Sequence, residues 1–153
     1  MNEELVRELT AARVEFLAVL ESLGAGRLKA TRLLGEWSAR ELVAHLGYWA
    51  GHAAEVIHAV KEGRGSEVGV GEPTADEVNA TVARVARQAD LSTVRKREAA
   101  SVQALVDRLM ALDPSLLSKS LPDGATLGEV IREDGADHYR EHAEQLRAAA
   151  GPS

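Results

Sequence analysis

His138 and His142 stand four residues apart, the spacing that places two side chains on one face of a helix, and Asp134 and Gln145 continue the same row. That row opens as Leu127, Val130 and Ile131 and regains Leu146 and Ala149, so an inward apolar stripe is polar in its middle. A second stripe, Leu42, His45, Leu46, Trp49, Ala53, Val56 and Val60, carries a histidine where leucine would pack. An unpaired imidazole buried among aliphatic side chains costs roughly 1–3 kcal/mol, so each of these positions needs a partner. Two partners fit the pattern. Either each histidine hydrogen-bonds an inward Asp or Gln, with Asp134 and Gln145 available, or His45, His138 and His142 share one divalent cation.

Imidazole is a borderline-soft ligand suited to zinc, nickel, iron or copper, and three protein ligands leave a position open for water or substrate. The chain has no cysteine, which excludes thiolate metal sites and thiol catalysis by the protein itself. The stretch His138-Tyr139-Arg140-Glu141-His142 also spells H-x-x-E-H, the inverted zincin signature in which glutamate is the general base. Such peptidases need a further carboxylate ligand downstream, for which the 11 residues beyond His142 leave no place. Glu141 lies one position off the inward row and reads first as a solvated charge. His52 shares the stripe of His45 and Trp49, and either lines a pocket, carries a proton or is a half-exposed helical histidine. Trp37 and Trp49 serve as pocket wall or plain core, and His58 falls off the stripe.

The elements that must position these residues are helical. Apolar residues make up 45% of the chain and aromatics 3%, with Ala, Leu and Val dominant. Leu5, Leu9, Ala12, Phe16, Leu20 and Leu23 recur every three or four positions, predicting a first helix over 2–23 that stops at Gly24-Ala25-Gly26. Ser38 with Glu41, Thr74 with Glu77, and Thr126 with Glu129 are capping boxes that open three more. The second helix runs to Glu62. The third reaches Leu112 with a break near Asp90, and the fourth reaches Ala149 before Gly151-Pro152. Residues 63–73, with four glycines and a proline, form a crossover loop without the Lys-Ser/Thr of a phosphate loop.

A length of 153 residues suits one domain, 1–153, and the formal charge of −6 with scattered basic residues argues against nucleic acid. No run of about 18 apolar residues occurs and the N-terminus lacks a leader pattern, so a cytoplasmic protein without a membrane partner is expected.

The stretches Glu36-Trp37-Ser38-Ala39-Arg40-Glu41-Leu42-Val43-Ala44-His45-Leu46 and His138-Tyr139-Arg140-Glu141-His142-Ala143-Glu144-Gln145-Leu146, with Asn79-Ala80, resemble the DinB/YfiT-like metalloprotein superfamily over nearly the whole chain. The resemblance implies an all-α four-helix bundle in up-down-down-up order, with a long crossover between helices 2 and 3. Carried over position by position, the family's three metal-binding histidines fall on His45, His138 and His142. The family includes thiol transferases and isomerases that use bacillithiol or mycothiol, and DfsB/ClbS-like proteins; dimers are frequent.

Three functions follow as expectations. The first is transfer of a low-molecular-weight thiol, bacillithiol or mycothiol, to an electrophilic small molecule at a zinc or nickel ion. There Asp134 orients a ligand imidazole, and Trp49 and His52 line the pocket. The second is metal-assisted hydrolysis, with Glu141 or Asp134 taking the proton. The third is a non-catalytic binding or stress-response module.

Overall fold

The computed structural model describes residues 2–150. Its apolar periodicities become α1 (Glu3–Ser22), α2 (Gly24–Leu28), α3 (Ala39–Lys61), α4 (Ala75–Ala86), α5 (Leu91–Ala111), α6 (Leu127–Asp134) and α7 (Ala136–Ala150). Ser38, Thr74 and Thr126 accept from the backbone N–H of Glu41, Glu77 and Glu129, whose carboxylates return to the capping residues' own N–H groups. These reciprocal bonds satisfy backbone donors that a helix start leaves free, and so fix where α3, α4 and α6 begin. Asp90 caps α5 through Thr93.

α1, α3, α5 and the α6–α7 pair form an all-α four-helix bundle in up-down-down-up order. α3 packs most extensively on α5, and α1 on α7. Phe16 and Leu20 of α1, Leu42 and Leu46 of α3, Leu105 and Leu109 of α5, and Tyr139 and Leu146 of α7 meet in one core. Each large apolar side chain so buried contributes about 1.5–3 kcal/mol relative to exposure. Close approach of α3 to α5 depends on Gly47, because a Cβ there would lie 2.9 Å from the Glu98 Cα.

Three differences from the sequence expectation have local causes. Gly24, in the left-handed region at φ +82°, ends α1 alone, and the chain then makes one further short helix. The crossover is not wholly irregular, since Gly65–Glu67 form a 3-10 turn tucked against Val60. The last helix is divided at Gly135, where a Cβ would lie 2.7 Å from the Ile131 carbonyl oxygen. Beyond the break the buried row becomes Ala136, Tyr139, His142, Ala143 and Leu146, while Gln145 and Ala149, expected to face inward, are exposed. The expected stop at Gly151-Pro152 lies outside the described residues. No helix among those residues is long and apolar enough to cross a membrane.

Candidate metal centre

The second turn of α3 presents His45, 6% exposed, between the fully buried Leu42 and Leu46. α7 supplies His138, half-buried, and His142, buried, one turn apart. Nε2 of His45 lies 2.8 Å from Nε2 of His138. The ring centroids of the three pairs are 4.5, 5.1 and 4.8 Å apart, and one ligating atom from each histidine can be chosen so that all lie within 4.8 Å of one another. Nδ1–H of His142 donates to Oε1 of Gln145 at 2.7 Å, which leaves the Nε2 lone pair of His142 free.

Burial disfavours charge on all three rings. His138 is lowered to about 3 by burial and then by His45 and His142, His45 to about 4 by burial and then by His142, and His142 is lowered by burial. Neutral imidazole is the ligating form, so the donor set is prepared for a cation at neutral pH.

The residues fit a divalent metal on two further observations. Two neutral imidazoles meeting Nε2 to Nε2 at 2.8 Å either share one proton in a hydrogen bond or present two lone pairs, and a cation accepts both lone pairs at once. A tetrahedral ion with bonds of ~2.0–2.1 Å sets its nitrogens about 3.3 Å apart, and that spacing falls between the 2.8 Å contact and the 4.8 Å limit seen here.

Around the trio, Trp37 covers His45 with ring centroids 4.6 Å apart. Asn79 of α4 accepts from Trp49 Nε1 at 2.8 Å and favours the charged form of His45, without bonding its Nδ1. The group holds histidines and no carboxylate among the described residues. Asp134, expected to orient a ligand imidazole, instead accepts at Oδ2 from Nδ1 of His52 at 2.7 Å, and the break at Gly135 separates it from the row of α7. Glu141 is exposed, Trp49 and His52 are half-buried, and His52 packs edge-on to Trp49.

One buried network escaped the sequence reading. Glu98 of α5, 3% exposed, takes a forked pair from Arg13 of α1, at 2.6 and 2.8 Å, and a 2.6 Å bond from the Tyr139 hydroxyl of α7. Glu98 raises the Arg13 pKa through that bond, and burial and then Glu98 raise Tyr139 well above its usual value, so both keep their protons. The network ties three helices together at the residue next to His138. Its signal was a glutamate in the inward row Val94, Val102 and Leu105, the same anomaly that marked the histidines.

The model of the DinB superfamily matches residues 8–146. A crystal structure of an uncharacterised protein from Escherichia coli UTI89 has a TM-score of 0.80 at 13% identity, covering 98% of this chain and 92% of that one, a likeness of fold. No curated protein matches the sequence.

Proposed function

The chain belongs to the DinB superfamily, and from that membership together with the imidazole cluster we propose a metal-dependent enzyme that transfers a low-molecular-weight thiol to an electrophilic small molecule. The observation that carries this reading is the convergence of three neutral imidazoles from two helices in a chain without cysteine. His45, His138 and His142 would hold the cation, zinc or nickel by the softness of the donors. When bound, such a cation supplies a Lewis acid that lowers the pKa of a thiol beside it.

The chain's own residues define the rest. Gln145 holds His142 in the tautomer whose Nε2 faces the trio. Trp37 shields one face of His45, and Asn79 anchors Trp49 as a wall beside it. No carboxylate stands ready as a base at the imidazoles, since Asp134 is engaged by His52 and Glu141 is exposed. That favours a borrowed thiol over water as nucleophile. A homodimer in the cytoplasm, with bacillithiol or mycothiol as co-substrate, completes the proposal.

The test is turnover of either thiol with an electrophile such as monochlorobimane, before and after chelation. Loss on chelation and in His138→Ala is expected. Thiol transfer that persists without metal contradicts the reading, and hydrolysis in thiol-free buffer that requires the metal favours the hydrolytic alternative.

A further inference from the structure

His52 follows His45 by seven residues on α3, which is about 10 Å along the helix axis. It does not belong to the three-histidine group, and its partner is a carboxylate. Nδ1–H of His52 donates to Oδ2 of Asp134 at 2.7 Å, with the two side chains 26% and 17% exposed. A carboxylate on Nδ1 fixes the tautomer with its lone pair on Nε2, and stabilises the imidazolium that forms when Nε2 takes a proton. The bond to Asp134 raises the His52 pKa against the opposing effect of burial, and burial raises that of Asp134.

The ring, about a quarter exposed, lines a cleft of about 620 Å³ together with Tyr48, Glu55, Glu72, Pro73 and Ser101. Glu55 and Glu72 give this cleft a negative lining, and neither ion-pairs with a basic residue among the described residues. Anionic ligands are therefore disfavoured. The Tyr48 ring stacks over His52 at 6.5 Å, and burial followed by Glu72 and Asp134 keeps its hydroxyl protonated as a donor.

We propose that His52 and Asp134 form a second catalytic site, a general-base dyad whose cleft takes small uncharged or cationic acyl compounds. In the step, the oxygen of a water bonds to the acyl carbon as its proton passes to Nε2 of His52. The carbon–oxygen bond to the leaving group then breaks, and the leaving oxygen takes the proton back from the imidazolium. Asp134 remains a carboxylate throughout. The site needs no metal, so it stands or falls separately from the imidazole trio.

The full chain is assayed in chelator with p-nitrophenyl acetate and, as an anionic counterpart, mono-p-nitrophenyl succinate. Wild-type protein is expected to hydrolyse the acetate faster than the succinate ester. His52→Gln should lose on the order of 10²-fold. Asp134→Asn should also be slower, and the double variant no slower than His52→Gln alone, because the two groups act as one unit. Glu55→Gln combined with Glu72→Gln should narrow the preference for the acetate ester. A wild-type rate in His52→Gln, additive losses in the double variant, or hydrolysis that ceases on chelation would each overturn the proposal.

Discussion

Acidification of the metal-free protein should unfold it through the same imidazoles that would hold a cation. Unfolded histidine titrates near 6.5, whereas folded His45 titrates at about 4 and His138 at about 3. Between those values the unfolded chain binds protons that the folded chain refuses, so stability falls as pH drops from 6.5 towards 4. At pH 5 an unfolded imidazole is almost fully protonated and a folded His45 only about one-tenth, which amounts to about 2 kcal/mol of lost stability. His138 contributes a similar amount, but the two rings share a hydrogen bond and their sum is an upper bound. His52 acts in the opposite sense. Its raised pKa contributes stability that is fully present below 6.5 and disappears as pH rises through its folded value, offsetting part of the fall. Urea unfolding in chelator, followed by far-ultraviolet circular dichroism, should show the midpoint drop by about 1 M between pH 7.5 and pH 5. The non-titrating variant His45→Gln should show a shallower drop. A midpoint that stays fixed over that interval would refute the reasoning.

Other perturbations probe the parts that position the site. Glu98→Ala strands the guanidinium of Arg13, three-quarters buried, and should lower stability by about 3 kcal/mol in chemical denaturation. Tyr139→Phe removes one bond to the same carboxylate and should cost about 1–2 kcal/mol. Gly135→Ala would set a Cβ 2.7 Å from the Ile131 carbonyl oxygen, so both a lower melting temperature and weaker zinc binding are expected; wild-type values for both would show that the break has no positioning role. Gln145→Ala should weaken zinc binding by about 10- to 100-fold in competition titrations and cost the metal-free protein about 1–2 kcal/mol, because it leaves the buried Nδ1–H of His142 without its acceptor.

Local chemistry made much of this molecule legible. The three capping boxes mark helix starts because their bonds close within four residues, and the expected helix starts at Ser38, Thr74 and Thr126 are those observed. The convergence of His45 with the 138/142 pair was legible because imidazoles stand where aliphatic side chains would pack, and because the resemblance to the DinB family placed its metal-binding histidines on the same three positions. What escaped the sequence involved partners distant along the chain. Nothing local joins Arg13 to Glu98, or Asp134 to His52, and both pairings depend on how helices rotate against each other. Gly135 hides inside a helical period, and only the Ile131 carbonyl oxygen, 2.7 Å from where a Cβ would sit, shows why a side chain is missing there. Beyond that break Gln145 faces outward and Tyr139 lies in the core, and before it Asp134 pairs with His52 of α3.

The most direct measurement is isothermal titration of zinc into chelator-stripped protein, wild type beside His45→Ala and His138→Ala. One ion per chain is expected for the wild type, with binding lost or weakened by orders of magnitude in both variants. Binding of wild-type strength in either variant, or no saturable binding in the wild type, would contradict a metal centre built from α3 and α7.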